Sequence, residues 1–168
     1  MTVADRIAVM DHGKLIQVAT PSEIYEQPNS KYVADFIGDI NLIEGKVHSV
    51  DAAKKLVNVA ANGLDKPIAI ESDVAVRAGE QVWVAVRPEK MKINRKAPAK
   101  GLNSVEGTVV DLGYFGKDSL YRIKLPSGGL VRVNHVNAVR GRESERVAAW
   151  EDKVWLSFEP SSAILLTE

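Results

Sequence analysis

The sequence predicts a mainly β protein, an antiparallel barrel or sandwich that follows a short N-terminal segment of mixed structure. The first supporting observation is a period-two alternation of apolar and polar residues from residue 41 onward, as in residues 81–87, where Val82, Val84 and Val86 share one face. The second is the series of turn signals between these segments, such as residues 126–129, Pro-Ser-Gly-Gly. Before residue 41 the pattern indicates one hairpin and two short helices.

The N-terminal hairpin is predicted from two apolar runs, residues 6–10 and 14–18, on either side of Asp11-His12-Gly13. A short loop that contains glycine supplies the positive φ that tight hairpin turns need. The sequence therefore predicts two antiparallel strands joined by this loop.

Two helices are predicted between the hairpin and residue 41. Thr20-Pro21-Ser22-Glu23 has the N-cap hydroxyl, the N1 proline and the N3 glutamate of a capping box, and Pro28 ends this short helix. Asn29 or Ser30 begins the second helix, which Gly38 ends. Its predicted apolar face consists of Tyr32, Val33, Phe36 and Ile37.

The β region is predicted to contain many short strands. Candidate strands cover residues 42–50, 55–60, 67–71, 81–87, 105–112, 119–125, 130–134, 153–158 and 163–167. Bases outnumber acids over residues 87–100, and residues 95–103 read as a solvated connection. Residues 42–94 and 105–167 each hold several strands, but identity alone reveals no internal repeat.

Composition excludes several classes of site. The chain has 168 residues, with 22 Lys and Arg against 22 Asp and Glu, and no cysteine. The balanced charge argues against an obligate nucleic-acid binder. The missing cysteines exclude disulfides, thiolate metal sites and a cysteine nucleophile, and fit a reducing compartment. No run of 18 apolar residues and no secretory signal is visible, so direct membrane insertion is not expected.

The search for catalytic chemistry gives no candidate. Gly13-Lys14 and Gly116-Lys117 lack the glycine spacing and the Lys-Ser/Thr pair of a phosphate-binding loop. None of the three histidines, His12, His48 and His135, has a second histidine within helical or hairpin reach. We therefore predict no catalytic residue, no bound cofactor and no metal site in this chain.

Two tryptophans stand out on the strands. Trp83 and Trp155 fall on the faces opposite the apolar stripes. They predict either an oligomer contact or a surface covered by another part of the fold. An OB-type fold also leaves open a stand-alone module that binds nucleic acid or a small oxyanion, although the two tryptophans lack a basic, aromatic-rich neighbourhood. A cryptic enzyme is a third possibility, for which no residue set is identifiable.

Four consecutive segments resemble a known family. Residues 4–17 (ADRIAVMDHGKLIQ) resemble the last hairpin of ABC-transporter ATPase domains, and residues 20–28 (TPSEIYEQP) resemble a helix of the importer subfamily. Residues 32–41 resemble that subfamily's exit from the ATPase domain. Val86-Arg87-Pro88-Glu89 and the later strands resemble the transport-associated OB-type (TOBE) domain that follows, most closely in spermidine/putrescine importers.

The resemblance implies a domain division and a fold. Residues 1–40 would be the C-terminal remnant of an ABC ATPase domain, and residues 41–168 an OB-type β-barrel (TOBE) regulatory domain with a possible internal connection at 95–103. The family's ATP-binding and catalytic motifs are not found in this sequence, so no catalytic residue carries over. ATP and Mg²⁺ are therefore expected only in a full-length parent.

The resemblance also implies partners and possible regulatory residues. We expect a regulatory and dimerisation module rather than an enzyme, a homodimer through the OB-type domain, and permease subunits and a substrate-binding protein in a parent complex at the cytoplasmic face of the membrane. The possible regulatory or interface residues are Arg87, Pro88, Glu89, Asp111, Tyr114, Gly116, Trp83 and Trp155. Purely structural roles stay open for three of them: Pro88 ends a strand, Gly116 supplies a positive φ, and Arg87 pairs with a nearby acid.

Without an ATPase domain to pack on, the N-terminal segment is expected to expose apolar side chains. Those residues are Ile7, Val9, Tyr32, Val33, Phe36 and Ile37.

Overall fold

The computed structural model describes residues 4–137 and 146–168. This part of the chain is mainly β, which confirms the predicted fold class. Its two α-helices are α1 (Pro21–Glu26) and α2 (Lys31–Ile37). Its strands are β1 (Ile7–Asp11), β2 (Lys14–Ala19), β3 (Asn41–Asp51), β4 (Leu56–Ala61), β5 (Ile68–Glu71), β6 (Gln81–Val86), β7 (Lys92–Asn94), β8 (Asn103–Tyr114), β9 (Asp118–Lys124), β10 (Leu130–Val136), β11 (Lys153–Phe158) and β12 (Ala163–Leu166).

The N-terminal hairpin and the first helix follow their local sequence signals. β1 and β2 pair antiparallel, and His12 and Gly13 at the turn both have positive φ, 45° and 78°. Thr20 caps α1, and the reciprocal bonds between Thr20 and Glu23 complete the capping box. The backbone N–H and the hydroxyl of Thr20 donate to the Glu23 carboxylate, which lowers the pKa of Glu23.

The second helix buries only part of the face that was predicted. Ser30 is its N-cap, and Val33 and Ala34 are its buried residues. Tyr32 and Phe36 are 41% and 65% exposed, and their rings stack on each other 5.9 Å apart. The apolar spacing therefore predicted Val33 and Ile37 correctly, but it did not predict Ala34, which is buried in the cluster beside the β domain.

The expected exposure of the N-terminal segment is correct only in part. Val9, Ile24 and Val33 form a small buried cluster between the hairpin and the helices, with Ile7 and Ile37 packed against it. Tyr32 and Phe36 remain exposed. The segment thus has a small core of its own.

Ten strands form two sheets with equivalent strand orders. The first sheet has the order β12-β6-β3-β4-β5, and the second has the order β7-β11-β8-β9-β10. Each sheet takes its outer strand, β12 or β7, from the other half of the sequence. The inner faces of both sheets contribute to one hydrophobic core, which includes Val84, Ile70, Ile123 and Leu156.

This topology reveals an internal repeat that residue identity did not. Residues 41–45 (NLIEG) correspond to residues 103–107 (NSVEG), and both strands carry a bulge at the same place, between Val47 and Ser49 and between Val109 and Asp111. Similarly, Val82-Trp83-Val84 corresponds to Val154-Trp155-Leu156. The repeat follows from strand order and register, since most residues outside these short segments differ.

The two halves are joined by a matched pair of asparagines. The Asn41 side chain accepts from the backbone N–H of Arg132 and donates to its carbonyl, both at 2.7 Å. Asn103 makes the same pair of bonds with Ala69, at 2.8 and 2.7 Å. β10 and β5 are edge strands. Each asparagine therefore provides hydrogen-bond partners for a backbone N–H and carbonyl that face outward from the edge of the opposite sheet.

Gly45 and Gly107 occupy equivalent positions where strands approach closely. A Cβ at Gly45 would lie 2.7 Å from the carbonyl oxygen of Ala60, and one at Gly107 would lie 3.0 Å from that of Lys124. Such overlap with backbone is relieved only by moving a strand. Glycine is therefore required at both positions.

We expect Gly45→Ala to lower the free energy of unfolding by about 1–3 kcal/mol, the usual range for overpacking. Urea denaturation followed by circular dichroism measures the change. Gly129→Ala is the matched control, because its Cβ would meet no closer atom than Ser127 Oγ, at 3.4 Å. Equal loss in both variants would contradict the steric explanation.

Candidate functional site

The candidate site is the junction between the N-terminal segment and the β domain. Arg87 follows β6 directly, and Pro88 begins a 3-10 helix, Pro88–Lys90, because its fixed φ and missing N–H end the strand pairing. Arg87 is only 2% exposed and is among the largest fully buried side chains of the described residues. A buried guanidinium is costly unless its N–H groups are bonded, so its partners define the site.

Those partners are carbonyl oxygens of the N-terminal segment. Nη1 of Arg87 donates to the carbonyls of Ala34, Gly38 and Asp39 at 3.2, 3.0 and 3.2 Å. Nη2 donates to the carbonyl of Tyr25 at 3.0 Å. The predicted pairing with an acid is wrong, because the carbonyls at the ends of both helices bind the cation instead.

Aromatic and acidic side chains complete the junction. The guanidinium carbon of Arg87 lies 4.1 Å from the ring centroid of Tyr25. The Tyr25 hydroxyl donates to the Glu89 carboxylate at 2.6 Å, and Lys90 forms an ion pair with Glu26 at 3.2 Å. Arg87, Glu89 and Lys90, the three charged residues of this segment, therefore all contact α1.

The environment of Tyr25 makes this contact sensitive to high pH. Burial, together with the hydrogen bond to Glu89, raises the pKa of Tyr25 from 10.0 to about 12. Folding thus favours the protonated phenol. The raised pKa therefore stabilises the folded chain fully below pH 10, and this stabilisation is lost as the pH rises from 10 towards 12.

Tyr25→Phe is expected to remove this pH dependence, because phenylalanine cannot ionise. Urea midpoints at pH 9, 10 and 11 should fall more steeply for the wild-type chain than for the variant. Tyr32→Phe is the control, since Tyr32 is exposed and donates only to a backbone carbonyl, that of Met10 at 3.2 Å. If both variants match the wild type at pH 11, Tyr25 does not couple ionisation to folding.

The junction also covers Trp83. The Lys31 ammonium of α2 lies 3.3 Å from the ring centroid of Trp83, and Ala34, Ile40 and Leu166 are buried in the cluster beside the ring. The structure thus supports the second of the two alternatives for Trp83, coverage by another part of the fold.

The other tryptophan is in a different environment. Trp155, at the equivalent place in β11, is half-buried and lines an open cleft.

The remaining predicted residues lie around the loop after β8. Asp111 accepts from the N–H of Leu112 at 2.9 Å and lies 3.6 Å from the Arg122 guanidinium. Tyr114 is exposed, with the Arg146 guanidinium 5.4 Å from its ring centroid. Gly116 has φ 77°, which accounts for glycine there.

Phe115 was missed by sequence analysis. Although it is 71% exposed, it shares a cavity of about 410 Å³ with Tyr25 and Glu89 of the junction. The loop after β8 therefore borders the junction through Phe115. Only the adjacent aromatic residue, Tyr114, signalled it in the sequence, and this pair does not reveal which side chain faces the junction.

Within residues 4–137 and 146–168 no group of three or more His, Cys, Asp or Glu is placed to hold a metal ion. In the same part of the chain no helix is long and apolar enough to cross a membrane.

The family model that describes the TOBE domain matches residues 84–166. That match includes the Arg87 motif, the exchanged strands β7 and β12 and the whole second sheet. Residues 84–166 belong to the TOBE domain family. The match confirms the resemblance of this part of the chain to the TOBE domain.

Two relatives are similar to this chain along nearly its whole length, which includes the N-terminal segment. The putrescine transport ATP-binding protein PotG of Escherichia coli is 36% identical over 167 residues, 99% of this chain and 43% of that protein. The spermidine/putrescine import ATP-binding protein PotA of Thermotoga maritima is 30% identical over 99% of this chain and 45% of its own length. The chain thus spans less than half the length of each of these relatives.

A solved structure supports the OB-type fold of the TOBE domain. The cytoplasmic molybdate-binding protein ModG, determined with molybdate bound, superposes with a TM-score of 0.65. The match covers 74% of this chain and 94% of ModG at 15% sequence identity. At that identity the likeness concerns the fold alone.

Proposed function

We propose that this chain is the regulatory and dimerisation part of an ABC importer ATP-binding subunit that serves polyamine uptake. Its similarity to PotG and PotA along 99% of its length supports the assignment. The observation that carries the regulatory role is the buried Arg87, whose donors hold the ends of both helices against the TOBE domain. A displacement of the helices would therefore be transmitted to the TOBE domain through this side chain.

Uptake measurements test the transport assignment. We would disrupt the gene in its own cells and follow labelled putrescine and spermidine. Loss of uptake that the intact gene restores supports the proposal, whereas unchanged uptake of both amines contradicts it. The isolated 168-residue chain is expected not to hydrolyse ATP, because its sequence lacks the phosphate-binding loop of an ATPase site.

The regulatory role needs a separate test in the assembled transporter. Arg87→Lys keeps the charge but loses the planar guanidinium, whose two terminal nitrogens donate to carbonyls of different helices. In the full-length subunit with its permease, we expect this variant to hydrolyse ATP with weakened dependence on the substrate-binding protein. Arg122→Lys, at an exposed ion pair, is the control. Identical behaviour of the two variants would refute transmission through Arg87.

Dimerisation is proposed through the loop after β8 and the end of β10. Tyr114, Phe115 and Val136 are 59%, 71% and 60% exposed. They are neighbours, since Asp118 pairs with Val136 across the sheet and accepts the Phe115 N–H through its carbonyl at 2.8 Å. A contiguous apolar group of this kind supports self-association.

The combined variant Phe115→Ser, Val136→Ser is expected to weaken the dimer at least tenfold, about 1.4 kcal/mol of association free energy. Sedimentation equilibrium measures the dissociation constant. Met10→Ser with Leu15→Ser removes apolar residues of similar exposure, 54% and 60%, from the N-terminal hairpin. If that pair weakens the dimer more, the contact lies on the hairpin instead.

A further inference from the structure

A cleft beside Trp155 lies outside the junction and has a distinct chemistry. Its volume is about 470 Å³, within the range of small-molecule sites. β8, β11 and the end of β9 line it, on the side of the second sheet away from the core. Trp155, Leu125 and Pro126 provide its apolar lining.

Unpaired hydrogen-bond donors converge at one end of this cleft. Thr108 pairs with Lys153 on one side and with Lys124 on the other, so the three side chains stand in a row on one face of the sheet. Among the described residues, none of these three side chains makes a hydrogen bond or an ion pair. Two ammonium groups that flank a hydroxyl form a site for an anion.

The other cation of the cleft is already used. Arg95 donates from Nε to the carbonyl of Val147 at 2.8 Å, and its Nη2 lies 3.3 Å from the Asp152 carboxylate. It is therefore held at the rim while Lys124 and Lys153 stay available. Their charges repel each other across the sheet until an anion binds between them.

An aromatic platform and an acid lie at the other end. Trp155 and Glu106 are directly opposed across β11 and β8, two residues along from the row at Thr108. That offset is about 7 Å at the rise of a β-strand. The indole N–H of Trp155 donates to no described residue. A ring stacked on Trp155 can place an amino group against the Glu106 carboxylate.

The equivalent surface of the first sheet shows that this chemistry is specific to the second. There α2 covers Trp83, and Gln81, Lys46 and Ala60 replace the row of Lys153, Thr108 and Lys124. The apolar residues Ala85 and Leu166, which are buried in one cluster with Ala34 of the helix, correspond to Ser157 and Asn94 in the second half. The Trp155 face is therefore polar and unsuited to a helix, but suited to a small polar ligand.

We propose that this cleft binds a nucleotide, with its phosphate between Lys124 and Lys153 over Thr108 and its base stacked on Trp155. Glu106 favours a base that carries an exocyclic amino group and disfavours a ligand that is anionic along its whole length. The binding site is independent of the transport assignment. It would supply the TOBE domain with an effector site separate from the Arg87 junction.

The test uses the full 168-residue chain and adenosine 5′-monophosphate as the probe. Titration is followed by the indole N–H resonance of Trp155 in ¹H–¹⁵N spectra, assigned by its loss in Trp155→Phe. We expect a saturable shift, with inorganic phosphate and adenosine each binding at least tenfold more weakly than the monophosphate. Absence of a saturable shift at millimolar monophosphate overturns the proposal, and so does equally tight binding of inorganic phosphate.

Paired variants separate the site from general charge. Lys124→Ala with Lys153→Ala is expected to weaken binding at least tenfold. Lys46→Ala with Lys117→Ala removes the same charge elsewhere and should leave affinity within twofold. Equal weakening in both pairs would show only a long-range charge effect and would refute the site. Unfolding midpoints of all variants exclude loss of the fold as the cause.

Discussion

Replacing Arg87 by methionine is expected to lower the free energy of unfolding by about 3 kcal/mol, the cost of removing a charged donor from buried acceptors. Methionine replaces the aliphatic part of the side chain but leaves the space of the guanidinium empty, so a cavity contribution adds to this loss. Four carbonyl oxygens, of Tyr25, Ala34, Gly38 and Asp39, lose their donor at once. The effect exceeds that of an exposed ion pair, which is typically below about 1 kcal/mol.

One opposing effect reduces this cost. Nε of Arg87 is buried without a hydrogen-bond partner, so methionine removes a desolvated donor. Exchange of a whole buried ion pair for apolar residues is often neutral because both partners leave together. Here the carbonyls remain, since they belong to the backbone. The net change is therefore a loss of stability, centred on the helices.

The location of the loss provides the sharper measurement. Hydrogen exchange should accelerate at the backbone amides of α1 and α2, and remain slow in β8 and β9. Arg122→Met removes the same charge from an exposed pair with Asp111 and serves as the control. Arg87→Lys should fall between the two variants. Uniform acceleration across both sheets would contradict a role confined to the junction.

Local rules were enough to predict several elements correctly. The hairpin turn at His12-Gly13, the capping box from Thr20 to Glu23 and the buried stripe of Val82, Val84 and Val86 each depend on residues close in sequence. Strand β7, only three residues long, was not predicted, because its pairing with β11 is decided by strand exchange. Short segments of that kind carry little periodic signal.

Features decided by tertiary contact were predicted poorly or not at all. α2 buries Ala34 instead of Phe36 because the adjacent surface of the first sheet, around Trp83, leaves room for a small side chain. Trp83 and Trp155 have nearly the same flanking residues, yet a helix covers one and the other lines a cleft. The family resemblance selected Arg87, but only the structure identifies carbonyls as its partners.

Asn103→Ala is expected to cost about 2–4 kcal/mol, because two buried hydrogen bonds disappear and the peptide group of Ala69 loses both partners. Asn103 is 7% exposed, so water replaces the lost bonds poorly. The side-chain amide imitates a neighbouring strand at the edge of β5. The loss should therefore destabilise the contact between the two sheets and not a single strand.

Asn103→Asp distinguishes hydrogen-bond pairing from packing. Aspartate has the same shape and can still accept from the N–H of Ala69, but its carboxylate repels the carbonyl that Asn103 now donates to. We expect a loss of stability at least as large as for alanine at pH 7, and partial recovery at low pH where the acid is protonated.

Asn58→Ala, which removes one exposed bond to Ser49 at 3.0 Å, is the control for urea denaturation. If it costs as much as Asn103→Ala, the asparagine pair does not join the halves. Asn41→Ala should match Asn103→Ala, because Asn41 makes the same two bonds with Arg132 at the edge of β10.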